Sequence, residues 1–309
     1  MKKTPLAIVG FGKIARDQHV AAIAGSSAFE LVAIASPHSR LEGVPWFKDL
    51  DALIASSIKV GAVALCTTPQ VRFDTARRAL EQGLHVLLEK PPGVTVSEVL
   101  ALVDIAKRSG SVLAASWHSR HARGVEPARA WLSGRAIRRV TITWKEDVRV
   151  WHPGQAWIWK AGGLGVFDPG INALSILTEI LPAVPALLKA RLFYPENCET
   201  PIAADLDLAG PGAARIAANF DFRQTGPQTW DIEVETDRGT LVLSRGGSVL
   251  KTDGREVETP DNGGEYPDVY ARFANVVANA RIDVDLAPLQ LVADAFLCGE
   301  RVVVEPFIE

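Results

Sequence analysis

Lys90, Asp168 and Asn172 are the side chains whose type and setting point to chemistry. A lysine and an aspartate can each hold or take a proton, although at neutral pH an ordinary lysine is already protonated and an ordinary aspartate is a weak base. Asparagine offers donors and an acceptor but does not titrate. Lys90 lies in Glu89-Lys90-Pro91-Pro92, directly after the apolar run His85-Val-Leu-Leu88. Asp168 lies in Gly162-Gly-Leu-Gly-Val-Phe-Asp168-Pro169-Gly-Ile-Asn172, a glycine-rich lead-in to an acid followed by proline. That order predicts a helix start with Asp168 as N-cap and Pro169 at the first helical position. Asp168 and Asn172, four residues apart, then share one helix face.

A third constellation is Gly10-Phe-Gly12-Lys13-Ile14-Ala15, a G-x-G-x-x-A sequence after a strand and at the opening of a helix. Gly10 permits the tight turn and Gly12 lets the backbone approach a pyrophosphate. Ala15 allows close packing of helix on sheet, and the helix N-terminus supplies amide donors. An NAD site usually carries an acid at the end of the next strand, where it bonds the ribose 2′-hydroxyl. Here Ala35-Ser36-Pro37-His38-Ser39-Arg40 has none. Ser36, Ser39 and Arg40 suit a 2′-phosphate instead, Arg40 through a charge-assisted bond. NADP is therefore the expected cofactor, with NAD also accepted. Its contacts are assigned to Gly10, Gly12, Lys13, Ile14, Ser36, His38, Ser39, Arg40 and Glu89.

The elements that must position these groups change character along the chain. Leu6–Val9, Leu31–Ala35, Ala62–Leu65, His85–Leu88 and Val112–Ala115 are short apolar runs, as expected of strands buried on both faces. Helical stretches are predicted over 13–24, 71–82 and 97–108. This alternation predicts a doubly wound parallel sheet, with ligands at the carboxyl ends of its strands. Lys90 stands at such an end. Beyond it, Arg139–Trp144, Arg215–Phe222 and Trp230–Glu235 alternate with period two, and Arg245-Gly-Gly247 joins two strands as a hairpin. The fold class is α/β: an N-terminal Rossmann-type domain over 1–120, then a substrate-binding and oligomerisation α+β domain over 121–309 with an open, largely antiparallel sheet.

The G-x-G-x-x-A loop, the Glu-Lys-Pro strand end and the later Gly-Gly…Asp-x-x-x pattern resemble the Gfo/Idh/MocA oxidoreductase family over essentially the whole chain. Trp144-Lys-Glu-Asp-Val-Arg149, Trp151-His-Pro-Gly-Gln155 and Gly165–Asn172 are most similar to its bacterial aldose 1-dehydrogenases, which act on L-arabinose and D-galactose. The resemblance implies oxidation of an aldose at C1 to the aldonolactone by hydride transfer, with Lys90, Asp168 and Asn172 at the catalytic positions. Many members carry histidine where Asn172 stands, so a mechanism using that histidine is excluded here. Asp168 is expected to take the hydroxyl proton while Lys90 orients the hydroxyl; the reverse assignment stays open. Other readings are a further polyol oxidoreductase of the family, of inositol type, and a non-catalytic dinucleotide-binding regulator.

Six of the eight tryptophans fall between Trp117 and Trp159, among Glu146, His152 and Gln155. Aromatic faces stack on the C–H face of a sugar while carboxylates and imidazoles hold its hydroxyls. His118, Glu146, Trp151, His152 and Trp230 are the expected sugar contacts. His118-Ser-Arg-His121 lacks further ligands at metal spacing, so no metal is expected. With 33 basic against 36 acidic residues, the net charge of -3 argues against nucleic acid and anionic membranes as partners. No apolar run approaches the ~20 residues of a membrane span. Three widely spaced cysteines suit a cytoplasmic setting. A homo-oligomer through the second domain's sheet is expected, provided that the sheet's uncovered face is apolar.

Overall fold

A computed structural model of the chain describes residues 3–261 and 263–309. Residues 3–118 and Gly263–Leu286 make up one unit, and 119–261 with Ala287–Glu309 a second. The first boundary lies close to the expected residue 120. The second domain is not the expected contiguous 121–309, because Gly263–Leu286 joins the first unit.

In that unit the apolar runs become strands β1 (Thr4–Val9), β2 (Phe29–Ala35), β4 (Ala62–Leu65), β5 (His85–Glu89) and β6 (Leu113–Ser116). A two-residue strand, β3 (Trp46–Phe47), joins the edge; it is too short for any periodic pattern to reveal. All pair in parallel in the order β3-β2-β1-β4-β5-β6, so the winding reverses beside β1. Leu6, Ile8, Phe29 and Ile34 pack with Tyr266, Tyr270 and Phe273 of the helix Glu265–Ala278, and the rings of Phe29 and Phe273 stack at 5.1 Å. On the opposite face Val9, Val63, Leu65 and Leu88 pack with residues of the helices Leu50–Ile54, Pro69–Glu81 and Val96–Ser109. The last of these begins with a capping box, Thr95 with Glu98. The helix predicted over 13–24 has two parts: a π-helical turn, Ala15–His19, and an α-helix, Val20–Gly25, with the Val20 N–H donating to the Ala15 carbonyl.

The second unit carries a nine-stranded sheet. Its members are β7 (Ile137–Lys145), β8 (Ala186–Pro195), β9 (Ala203–Ala209), β10 (Arg215–Asp221), β11 (Thr229–Thr236), β12 (Gly239–Ser244), β13 (Val249–Thr252), β14 (Arg255–Val257) and β15 (Glu300–Val304). The order is β14-β13-β12-β11-β7-β10-β9-β8-β15, antiparallel except that β7 with β10 and β8 with β15 run parallel. Val140, Ile142, Ile216, Phe220, Ile232 and Val234 are buried on one face, and the ring of Phe220 packs edge-on against Phe167 of the helix Phe167–Ile180. The alternate residues, among them Arg139, Thr141, Lys189, Asp205, Asp207, Arg215 and Glu233, make the other face polar. It does not meet the apolar condition on which the oligomer expectation rested.

Candidate functional site

The glycine loop is built around Gly10, whose φ is 84°; a Cβ there would stand 2.7 Å from the Thr67 backbone nitrogen. Only glycine fits. Gly12 is exposed with open space where its Cβ would lie, as a backbone that receives a phosphate requires. Of the neighbouring predicted contacts, Ile14 is half-buried, and Lys13 reaches outward to pair with Asp17. Beyond the loop, a cavity of about 440 Å³ is lined by Phe11, Arg16, Val20, His38, Ser39, Arg40 and Leu41. His38, Ser39 and Arg40 were expected there. Ser36 is buried instead, its carbonyl accepting the Trp46 indole N–H at 2.9 Å.

Arg16 is an addition. Its guanidinium donates to the Ser39 hydroxyl at 2.9 Å and to the Phe11 carbonyl at 3.2 Å, and lies over the Phe11 ring. The sequence signal was an arginine directly after Ala15 on the opening turn. Among the described residues no carboxylate lines this cavity, so a ligand carrying a phosphate meets two guanidinium groups there.

Lys90, half-buried, follows β5. Its backbone N–H donates to Glu89 Oε2 at 2.8 Å. Arg72, buried within the helix Pro69–Glu81, donates to the carbonyls of Glu89 (2.6 Å), Pro91 and Thr67. The backbone around Lys90 is thus held at the Lys90 N–H and at the carbonyls of the residues before and after it. Arg72 escaped the sequence reading because a helix arginine is ordinarily solvated. Glu89, expected at the cofactor, is 3 % exposed and both its oxygens accept hydrogen bonds from protein groups. His118, expected at the sugar, pairs through Nδ1 with Glu265 at 2.5 Å and stacks on Tyr266.

In the second unit a cross-strand pair anchors the expected sugar residues. Trp144 on β7 and Trp230 on β11 are register partners, and their rings stack at 5.9 Å with 22° between planes. Trp151 leans on Trp230 at 4.8 Å and remains exposed. Glu146, two residues past Trp144, is 2 % exposed. Its Oε2 accepts the Trp230 indole N–H at 2.8 Å, and its Oε1 lies 3.1 Å from His152 Nε2. On the other side of the ring, His152 Nδ1 stands 3.7 Å from Asp168 Oδ2. Glu146, His152 and Asp168 therefore form a carboxylate–imidazole–carboxylate row. Trp144 adds a buried indole N–H that has no hydrogen-bond partner among the described residues. Trp159 is different: it packs on Phe222 and Phe307.

Asp168 is not the N-cap. The helix Phe167–Ile180 has Val166 at its N-cap position, with no side-chain cap, and Asp168 lies within the first turn, 4 % exposed. Gly165 (φ 53°) starts the helix early: its carbonyl accepts the Asp168 N–H, and a Cβ there would meet the Pro201 carbonyl oxygen at 2.3 Å. The Asp168 carboxylate faces the His152 ring. Asn172 follows one turn later, half-buried. Among the described residues no cluster of three metal-ligating side chains occurs.

A family model for oxidoreductases with an NAD-binding Rossmann fold, Gfo/Idh/MocA, matches residues 5–116. Galactose 1-dehydrogenase of Pseudomonas fluorescens is 44% identical over 309 residues, covering 100% of both chains. The chain belongs to the Gfo/Idh/MocA oxidoreductase family. The crystal structure of a D-galactose-1-dehydrogenase protein from Rhizobium etli is similar at a TM-score of 0.95 and 51% identity, over 100% of this chain and 99% of that one. A 3-ketoreductase from Actinomadura kijaniata, solved with NADP and TDP-benzene, has a TM-score of 0.85 at 17% identity, over 98% of this chain and 100% of that one, and shares the fold alone. These matches account for the parallel sheet with a glycine loop at its switch point and for the second, mixed sheet as one family architecture. This Gfo/Idh/MocA chain has no helix among the described residues long and apolar enough to cross a membrane.

Proposed function

We propose that this enzyme oxidises an aldose at C1 to the aldonolactone, taking D-galactose and L-arabinose, with NADP preferred and NAD accepted. The observation that carries the reading is the Glu146–His152–Asp168 row beneath the tryptophan cluster. The full-length similarity to galactose 1-dehydrogenases supports the substrate class. The two sugars share their C2–C4 arrangement and differ at C5, so a pocket that reads C1 to C4 takes both.

The glycine loop and the cavity with Arg16 and Arg40 fit a dinucleotide carrying a 2′-phosphate. When bound, its nicotinamide supplies the hydride acceptor. Asp168 accepts the proton of the C1 hydroxyl, and Lys90 orients that hydroxyl and offsets developing negative charge. Glu146 accepts from both Trp230 and His152, which leaves His152 Nδ1 facing Asp168. With its proton on Nε2, the imidazole presents the Nδ1 lone pair to Asp168 and receives the proton from the Asp168 carboxyl after the hydride has left. Asn172, with donors and an acceptor, holds a sugar hydroxyl. Trp151 and Trp230 stack on the sugar ring, and His118 holds a further hydroxyl.

Assembly into a homo-oligomer through the polar sheet face is an electrostatic reading. Arg139, Lys189 and Arg215 stand among Asp205, Asp207 and Glu233, a mixed-sign surface that a two-fold axis can match to itself. Such a dimer weakens as salt rises. A cytoplasmic setting suits the three free cysteines.

The test is turnover of D-galactose, L-arabinose and myo-inositol with NADP and with NAD, followed at the reduced-cofactor absorbance band, with hydroxylamine trapping of the lactone. Reduction of cofactor by both aldoses with trapped lactone is expected. Turnover of inositol alone, or binding without turnover, overturns the reading.

A further inference from the structure

The first turn after the glycine loop is widened by one residue, and this brings His19 inward to 1 % exposure. Its Nδ1 lies 2.7 Å from the Tyr270 hydroxyl and its Nε2 3.0 Å from Glu89 Oε1. Glu89 Oε1 also accepts from the Tyr266 hydroxyl at 2.8 Å and from Ser116 at 3.2 Å, while Oε2 accepts the Lys90 N–H. The buried Arg72 guanidinium also stands at the Glu89 backbone, donating to its carbonyl at 2.6 Å. Burial opposes an imidazolium at His19, but neighbouring Cys66 and Glu89 outweigh it and raise the pKa to about 10. Burial likewise opposes the Glu89 carboxylate. The His19 hydrogen bond and charge, the charge of His118 and the Tyr266 hydroxyl outweigh it, so Glu89 stays ionised well below the usual carboxylate range. His118 is itself paired with Glu265. Burial first, then Glu89 and Cys66, keep both tyrosine hydroxyls neutral.

A buried ion pair is poor evidence of stability, since apolar residues of similar volume often serve as well. What apolar residues cannot do is accept the Lys90 N–H. An ionised acceptor in this dry setting needs a cation beside it, and His19 provides one from the helix that follows the phosphate loop. We propose that His19 is a positioning residue for the oxidation: through Glu89 it fixes the peptide of Lys90 and ties it to the dinucleotide loop. This rests on the reading of Lys90 as a residue of the reaction.

The test compares the wild type with His19→Gln, Glu89→Gln and the double variant. His19→Gln removes the cation hydrogen-bonded to buried Glu89 and leaves only the more distant charge of His118, so the carboxyl gains a proton within the accessible pH range. We expect kcat on D-galactose to fall at least about tenfold, with NADP affinity changed less than about threefold. We also expect a new ionisation in the kcat–pH profile between about pH 5 and 9, absent from the wild type and abolished in the double variant. The Lys90 amide resonance, read in lysine-labelled protein without any turnover, should shift in His19→Gln and follow the same ionisation. Should His19→Gln not fold, the double variant, which buries no charge at this pair, carries the test through its kcat and its Lys90 amide. The proposal is overturned by kcat within twofold of the wild type, by an equal loss of NADP affinity, or by a Lys90 amide that does not respond. Failure of the underlying reading shows elsewhere: Lys90→Ala would then keep full turnover, while the amide response to His19 is still measured.

Discussion

Removing Arg16 or Arg40 separates the two cofactors. Each guanidinium lines the cavity that receives the 2′-phosphate in this reading, and NAD has no charge at that position. A charge-assisted hydrogen bond contributes about 1.5–3 kcal/mol, and about 1.4 kcal/mol is a factor of ten in affinity. Arg16 is already held by Ser39 and the Phe11 carbonyl, so little of its rotamer freedom is lost on binding. Its loss should fall at the upper end, about 100-fold for NADP. Arg40 is exposed and more hydrated, and Arg40→Ala should weaken NADP about tenfold. NAD affinity should stay within about twofold in both. Because both guanidinium groups address one phosphate, the double variant should lose less than the sum. Calorimetric titration with NADP, NAD and 2′-AMP measures all three, the last reporting the adenosine half alone. Equal losses for NADP and NAD would refute the assignment, as would unchanged NADP affinity in both variants.

Asp168→Asn should lower kcat by about 10²–10⁴ with NADP affinity little changed; near-full turnover would make Lys90 the base. Gly165→Ala should cost about 2 kcal/mol or more in urea unfolding, because the added Cβ meets backbone at Pro201 that has no rotamer to change. The His19–Glu89 pair sets a pH dependence of stability. His19, raised from 6.5 to about 10, contributes fully below pH 6.5 and loses that contribution as pH rises towards 10. Glu89, depressed, contributes above its unfolded pKa and loses this as pH falls. Wild-type unfolding free energy should therefore decline above pH 7.5 by up to about 1.4 kcal/mol per pH unit relative to the double variant, whereas parallel curves would mean that the pair is not charged. Sedimentation should show a dimer at low salt that dissociates as salt rises; a monomer at every ionic strength would remove the sheet-face reading.

The parallel strands were legible because a strand covered on both sides has to be apolar throughout, as Leu6–Val9 and Ala62–Leu65 are. The glycine loop and the Asp168–Asn172 spacing were legible because local backbone rules govern them. What covers a face is a different matter. Nothing in the helical pattern of Glu265–Ala278 says that Tyr266, Tyr270 and Phe273 belong under β1 and β2, in the first unit rather than the second. Arg72 and His19 are buried polar groups whose partners are distant in sequence, so they look like ordinary helix-surface residues. Asp168 was misplaced by two residues because the helix starts at the Gly165 turn and not at the acid–proline pair.

The return of Gly263–Leu286 to the first unit has a consequence for how the protein is made. Phe11, Ala15, Ala22 and Ile23 cover part of the face formed by Leu6, Ile8, Phe29 and Ile34, but the rest stays uncovered until Tyr266, Tyr270 and Phe273 have been synthesised. The last strand of that sheet ends at Ser116 and the covering helix at Ala278, about 160 residues later. At the usual pace of translation this is a delay of about 8–30 s, during which part of an apolar sheet face stands open on the nascent chain. A chain stopped just before Glu265 would hold β7 to β14 of the second unit's sheet while the first unit's core was unfinished. Such a chain is a natural client for a holdase that recognises exposed aliphatic side chains, and release should become independent of it once Phe273 clears the exit tunnel.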